Sequence, residues 1–590
     1  MKYILIVFLL FCFLVLQLTS YAQGFQLTDI SKSSTQTQAS AINLDVTQTR
    51  QTVDGFGAGM KRNTKNLYTL SDPLVKQSMI DSIRQVVITK CFKELEVNML
   101  RFFVYSDLEP TNDNADPFVL NSTALDWTRY DSNSSKSKAQ YVAQAVNDAL
   151  KASNVGFDHI IGNCNSAPAF LKTNGSYTNG GTLITGGQDE YSEFLVAFVK
   201  GLKSKYNINV THISPSNEPD FNVTYESMNV TPAELQLILK NLRQRLQTES
   251  LSNIKIISPE CFRVTNPSLN AKNGTSYYIS TMFSDVETKA SVDVIATHTY
   301  ADSDNTTNWG ALASVSSNKP VWVTESSVLK DPDNTMTNAN TMIKWILRGF
   351  NLGGMTAYMY HLFYEDGAIN DTCSALVKFS AIDGVTLPKR YFAFKHFTNF
   401  VKPGFKRLAA DCSVNASITG TAFISADGNR IVLQLLNEGS AASVPINIPS
   451  NIASVEHYIT SNSSLNNCKQ LTDIEFAKGN TSINVNLPIN SFHTIVLNTV
   501  NYTSIGNNIN LKTELKLSPN PSKDYTIISF PLLQTNGKLT IFNTLGSKVK
   551  EINLQKGIEQ LTIDVTSFNS GTYIVNLNTE KQYNIKFIKE

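Results

Sequence analysis

Two glutamates stand at the ends of apolar runs. Glu218 follows "THISPSN" and precedes Pro219, and Glu325 closes "PVWVTE" ahead of two serines. Either alone reads as a loop residue, because Asn, Glu and Pro are common in turns and Pro219 by itself would end a strand. A pair is different, since two carboxylates brought together can divide the work of breaking a sugar–oxygen bond. One protonates the departing oxygen while the other, ionised, attacks the anomeric carbon, and neighbouring charge keeps the proton on one of them. A separation of about 5–5.5 Å suits double displacement, and about 6.5–9.5 Å leaves room for inversion by water. Asn217, directly before Glu218, is placed to hydrogen-bond a sugar 2-hydroxyl. Glu218 is then the expected acid/base and Glu325 the expected nucleophile.

The pair works only if the fold makes the two glutamates converge. Between residues 50 and 400 eight short apolar runs alternate with helical patterns: 51–59, 97–105, 157–165, 209–217, 254–262, 292–300, 320–327 and 355–363. Their β-branched character without clean alternation suits strands buried on both faces. Between them, "TPAELQLILKNLRQRLQ" carries an N-cap at Thr231, Pro232 in the first turn and Glu234 to complete a capping box. "EYSEFLVAFVKGLKSKY" and "NTMIKWILRGF" are similarly helical. The pattern predicts an α/β chain with a (β/α)8 TIM barrel, in which all strand ends open on one face. Glu218 and Glu325 end the fourth and seventh runs and so share that face. An open doubly wound sheet is the competitor, but no G-x-G-x-x-G or G-x-x-x-x-G-K-[ST] follows the first run.

A helix is expected over 390–404, after which the texture becomes all-β. Residues 25–49 and 401–500 are expected to form a β-sandwich side domain, and 513–590, beyond a polar connection at 501–512, a small C-terminal all-β domain.

Bulk properties exclude several classes. The 590 residues are too many for one core, and 42% hydrophobic with 10% aromatic residues is a globular composition. Fifty basic against 49 acidic residues leave a net charge of +1, with no footprint for nucleic acid or an anionic membrane. Residues 1–22 read as an export signal: Lys2, an apolar stretch, and Ser20-Tyr21-Ala22 for cleavage after Ala22. No later segment resembles a membrane span. The seven cysteines are scattered without a C-x-x-C pair or Cys/His cluster, so zinc is not expected. Neither metal nor cofactor is implied, and a monomer is expected.

These stretches resemble glycoside hydrolase family 30, over residues 50 to about 500. The likeness is carried by "QTVDGFGAG", "SAPAFLKTNG" (166–175), "SPSNEPDFNVTYES" (214–227), "VWVTESS" and "YFAFKHFTNFVKPGFKRL" (391–408). The resemblance implies a retaining glycosidase acting on a β-linked polysaccharide, with a barrel fused to a β side domain. It gives Asn217, Glu218 and Glu325 the roles stated above. It suggests Arg101 as the arginine that steadies the nucleophile, Tyr300 as its hydrogen-bond partner, and His298 as a pocket residue. Phe170 and Tyr360 stand where the family has sugar-stacking tryptophans, and Asp54 is a candidate for a sugar hydroxyl. "KTNG" and "NEPDFNVTYES" look most like the xylan-cleaving branch; Lys330 but no convincing arginine stands where glucuronate would be read. A β-1,6-glucanase or glucosylceramidase-like activity is the alternative, and a catalytically inert surface carbohydrate-binding protein is a third reading. The tail "LSPNPS…GTYIVNL…FIKE" resembles the C-terminal sorting domain of the type IX secretion system, a partner for export machinery and a sign of secreted or surface residence.

Overall fold

The computed structural model describes residues 41–60, 64–131, 139–266, 268, 271–300, 306–328, 335–367, 374–449, 451–499 and 515–590, without 531, 534, 544–546, 580 and 581. The export segment 1–22, residues 25–40 of the sandwich segment, Lys330 and the connection 501–512 lie outside the described residues. Two compact units divide the chain, 1–501 and 502–590.

The first unit holds the barrel. Its strands are β1 (Gly55–Met60), β2 (Met99–Val104), β3 (His159–Cys164), β4 (His212–Ser214), β5 (Lys255–Cys261), β6 (Val294–His298), β7 (Val321–Glu325) and β8 (Met355–Tyr360). Each pairs in parallel with the next, and β8 closes on β1. The expected barrel is therefore observed, with a shift at its start. The first run splits: Gln51 and Thr52 belong to a separate strand, Thr49–Thr52, which pairs with Lys406–Leu408, and the barrel begins only at Gly55.

The glycines of β1 make closure possible. A Cβ on Gly57 would lie 2.2 Å from the Met99 carbonyl oxygen, and one on Gly59 would lie 2.4 Å from the carbonyl oxygen of His361. Only hydrogen fits at such approaches. The segment after β8 is then tied in by two bonds: the His361 amide donates to the Ser326 carbonyl at 2.8 Å, and the Phe363 amide to Gly59 at 3.0 Å.

Strand alternation sends one set of side chains inward and the other toward the helices. The inward set is Met99, Ile161, Ile257, Val294, Ala296, Trp322, Ala357 and Met359. Outward, Tyr358 and Tyr360 pack near Phe394 of the helix Lys389–Thr398, with centroids 6.3 and 6.4 Å away. That helix stops at Thr398 rather than continuing to 404. The helix Pro232–Thr248 has the full capping box: Thr231 accepts from the Glu234 amide, and Glu234 accepts from the Thr231 amide.

The side domain is a seven-stranded sheet, including Thr49–Thr52 and six strands from Lys406 to Thr499, facing a three-stranded sheet of Ile42–Asn43, Ala442–Asn447 and Ser482–Leu487. Chain segments from both sides of the barrel thus build it. Its other face lies on the barrel helices, with Phe492 5.3 Å from Phe397 and Phe423 5.1 Å from Phe350. His396 bridges Thr494 and Thr460 at 2.8 and 2.9 Å. Burial, then His457 and Lys395, push it down to about 3, so it crosses this interface neutral. The second unit has a three-stranded and a four-stranded sheet around Ile528, Leu539, Val575 and Phe587. Among the described residues no helix is long and apolar enough to cross a membrane, and Cys91, Cys164, Cys261, Cys412 and Cys468 are free thiols.

Gly59→Ala should destabilise the first unit by about 1–3 kcal/mol, because backbone rather than a flexible side chain must give way. Urea unfolding checks this; an unchanged midpoint would mean that the approach of the two strands is not tight.

Candidate active site

Toward the C-terminal ends of the strands the inward positions turn from apolar to polar. Arg101, Asn163, His298 and Thr324 each stand two residues beyond an inward apolar residue (Met99, Ile161, Ala296 and Trp322), and all four are buried. Two ladder irregularities add further side chains. Between β5 and β6 the register steps from Pro259–Ala296 to Cys261–Thr297, with Glu260 the extra residue. Between β6 and β7 it steps from Thr297–Val323 to His298–Glu325, passing over Thr324. A bulge of this kind re-aims a side chain, which lets consecutive residues face one pocket.

Glu218 arrives differently. β4 ends at Ser214, earlier than its sequence run suggested, and Glu218 is reached through Pro215, Ser216 and Asn217. Its φ is +49°, and that of Glu260 is +64°. Non-glycine residues in the left-handed region cost energy and persist where surroundings over-determine them. Here the Glu218 amide donates to the Glu260 carbonyl at 2.8 Å, locking one strained residue to the other.

The result is a set of three buried carboxylates around two buried cations. Arg101 Nη1 donates to Glu325 Oε2 at 2.7 Å, and Nη2 to Asn163 and Asn217 Oδ1, both at 2.8 Å, with Glu260 Oε2 at 3.5 Å. The other oxygen of Glu325 accepts from the Tyr300 hydroxyl at 2.8 Å and lies 3.6 Å from His361 Nε2. His298 spans Glu218 Oε1 and Glu260 Oε2, 3.0 Å from each. Glu218 Oε2 accepts from the Tyr225 hydroxyl at 3.1 Å, and Thr324 Oγ1 donates to Glu260 Oε2. One oxygen each of Glu218 and Glu325 lies within 4.8 Å of the other.

Charge balance explains why these groups tolerate burial. For His298 burial opposes the cation, but Glu325, Glu218 and Glu260 outweigh it and raise the imidazole to about 9. Both ring nitrogens then donate, as an imidazolium requires. Burial would push Glu260 up, yet Arg101, His298 and Thr324 together hold it below the usual carboxylate range. Burial and the nearby Glu325 and Glu218 push the Tyr300 hydroxyl well above its ordinary value, so it remains a donor.

Of the residues singled out in the sequence, Asn217, Glu218, Glu325, Arg101, His298 and Tyr300 come together here. Asp54 does not. It precedes β1, at the opposite rim, where it accepts from the Trp322 indole at 2.8 Å beside the rings of His159 and His212. It closes the barrel floor because the first strand starts at Gly55 rather than ending near Asp54. Tyr360 does not either: it is fully buried on the helix side of β8, with Arg390 6.0 Å from its ring, because alternation turns it away from the pocket. His361, the next residue, faces the site in its place. Phe170, in the turn Ala169–Leu171, is half-buried against the main core.

Glu260, Asn163, Tyr225 and His361 were not anticipated. Glu260 ends the fifth run just as the other two glutamates end theirs, so the same signal could have found it. Tyr225 and His361 lie on loops whose path the sequence does not specify. Beside the site Phe221 stacks on Phe262 at 4.2 Å, and Phe262 on Tyr300 at 5.6 Å, a partly exposed aromatic row. Glu218, His298 and Glu325 are close enough to suggest a metal centre. However, both His298 nitrogens are committed to carboxylates, which leaves no imidazole lone pair for an ion.

Comparison with known proteins agrees with the resemblance read from the sequence. Residues 185–380 match the family described as glycosyl hydrolase catalytic core, and 516–590 match the secretion system C-terminal sorting domain. "Putative glucosylceramidase 2" of Caenorhabditis elegans is 26% identical over 71% of this chain and 80% of its own length. "Glucuronoxylanase XynC" of Bacillus subtilis (strain 168) is 25% identical over 46% of this chain and 58% of its own length. The catalytic domain of GH30 xylanase C from Talaromyces cellulolyticus superposes with TM-score 0.63 at 20% identity, covering 78% of this chain and all of that one. The endo-beta1,6-glucanase BT3312 gives 0.59 at 17% identity, covering 78% and 95%. The sorting domain marks the chain as secreted or cell-surface.

His298 makes a pH prediction. Its value of about 9 lies above the ordinary 6.5, so its stabilisation is complete below pH 6.5 and is lost as the pH rises through about 9. Thermal unfolding of the wild type should lose on the order of 3 kcal/mol across that window. His298→Gln should be less stable at pH 6 and show a much flatter alkaline limb; equal slopes would contradict the imidazolium assignment.

Proposed function

We propose that this glycosidase, built on the fold of the family 30 enzymes, cleaves β-1,4-linked xylan within the chain by double displacement. Glu218 is the general acid/base and Glu325 the nucleophile. The observation that carries the reading is the approach of the two carboxylates to within 4.8 Å. An approach this close fits the retaining arrangement, with carboxyl groups about 5–5.5 Å apart, better than the separation of about 6.5–9.5 Å that inversion uses.

The surroundings support the division of roles. Glu325 is held by Arg101 and Tyr300, donors that favour the anion and orient it for attack. In the first step Glu325 bonds to the anomeric carbon as Glu218 gives its proton to the departing oxygen, leaving a glycosyl ester. In the second, Glu218 takes a proton from water, the hydroxide oxygen bonds to the anomeric carbon, and the ester bond breaks to free Glu325. Asn217 has its amide oxygen on Arg101, which leaves its NH2 end for the sugar 2-hydroxyl. The row Phe221, Phe262 and Tyr300 offers apolar faces on which further sugar rings stack.

For the substrate, the glucuronoxylanase and xylanase relatives favour xylan. A second reading, a β-glucoside, is kept because the glucosylceramidase likeness spans more of the chain. The chain acts outside the cell: we assign residues 1–22 as a signal cleaved after Ala22, and the tail as the segment read by type IX export machinery.

A panel of xylan with and without glucuronate, β-1,6-glucan and an aryl β-glucoside decides the substrate. Reducing ends should appear fastest from xylan, with or without glucuronate, and exclusive release from β-1,6-glucan or the glucoside would replace the xylan reading. Glu325→Gln should lower kcat by at least about 10³-fold, and Glu218→Gln should lower it least on substrates with good leaving groups. Full activity of Glu325→Gln would reject the assignment.

A further inference from the structure

We propose that Glu109, Asp113, Glu190 and Glu193 bind one Ca2+ ion that fastens the loop after β2 to the helix Gln188–Tyr206. Each of the four offers an oxygen, and these oxygens lie within 4.8 Å of one another. Carboxylates are rarely buried unless paired or holding a metal. Yet Glu109 and Glu193 are 2% exposed and Glu190 7%. The cluster also has orphaned acceptors aimed into it. Neither oxygen of Glu109 accepts a hydrogen bond of normal geometry, and Asp113 Oδ2 and Glu190 Oε1 are buried and likewise unpartnered. Only a few donors serve the group: the Asn121 amide reaches Glu193 Oε1 at 3.0 Å, and Asn114 Nδ2 reaches Asp113 Oδ1 at 2.8 Å.

Charge points the same way. The cation acting on Glu190 and Glu193 is Arg245, whose Nη1 donates to the Phe118 carbonyl at 2.9 Å. With all four ionised, as ligands to a cation must be, Arg245 leaves three negative charges unmatched, and a divalent ion reduces them to one. The donor set is all oxygen, without a sulfur or imidazole, which selects a hard cation. Oxygens gathered within 4.8 Å of one another can share one centre at the Ca2+ bond length of about 2.3–2.6 Å. Four carboxylates suit Ca2+, which takes about 6–8 oxygens, better than Mg2+, which keeps several waters and is held by only one or two carboxylates.

The place gives the ion a purpose. Glu109 follows the turn Ser106–Leu108 at the end of β2, the strand that carries Arg101. Ser106 Oγ donates to Glu226 at 2.9 Å, and the adjacent Tyr225 holds Glu218. An ion here anchors the root of the loop against which the Glu218 segment rests.

The test uses the full chain, stripped with a chelator and titrated with CaCl2. One ion should bind per chain by calorimetry, and the unfolding midpoint should rise by roughly 3–6 °C at 100-fold excess over Kd. Glu109→Gln with Glu190→Gln should abolish both responses and leave the metal-free midpoint as high as, or above, that of the metal-free wild type, since repulsion is relieved. Wild type that neither binds Ca2+ nor shifts, and that carries none after purification from Ca2+ buffer by elemental analysis, overturns the site in favour of proton-sharing carboxylates. A double variant that still binds overturns the ligand assignment. If that variant does not fold, the wild-type binding and metal content decide alone.

Discussion

One guanidinium holds the pocket together. Arg101 is 1% exposed, yet it reaches Glu325, Glu260, Asn163 and Asn217, residues from four strands or strand ends. A buried arginine is tolerable only when its charge is matched and its forked donors are satisfied. That requirement runs through the site: acids must surround Arg101, a second cation must balance the third acid, and His298 supplies it. Removing any one member leaves a buried charge without its partner, a cost of about 3–5 kcal/mol.

Local strain follows from the same demand. Bringing Glu260 inward needs a bulge and a left-handed residue, and bringing Glu218 inward needs a second left-handed residue beyond β4. Neither conformation is favourable by itself. They are sustained by the regular barrel below, where Met99, Ile161, Ala296 and Trp322 fill the interior and Asp54 caps the floor through Trp322. The apolar half of the barrel provides rigidity, and the polar half uses it for chemistry. Preorganisation of this kind holds carboxylates and donors in place without reorganisation at the moment of reaction.

Much of this was legible in the sequence, and the failures have physical reasons. The eight strands were visible because buried parallel strands are continuous apolar runs, and the helix from Pro232 because its cap and apolar face agree. The glutamates at 218 and 325 were found by their place at strand ends. The misses lie where side-chain direction decides. Tyr360 and His361 are neighbours, and only the strand phase shows which of them faces the pocket. Asp54 sits on the wrong rim because the first apolar run conceals a break between a sandwich strand and β1. Glu260 stayed hidden because a bulge, which no periodicity announces, turns it inward. The acidic cluster around Glu109 joins a loop to a helix distant in the chain, and no local pattern foretells such a meeting.

The central claim is that Glu325, held by Arg101, forms a bond to the sugar. Incubation with activated 2-deoxy-2-fluoro-β-glycosides of the xylo and gluco series, which slow breakdown of such an ester, followed by peptide mass spectrometry, addresses it directly. The account predicts one sugar per chain, on the peptide containing Glu325, with activity lost in parallel. A label on Glu260 or Glu218, or turnover of these substrates to products of inverted configuration without any label, would contradict it.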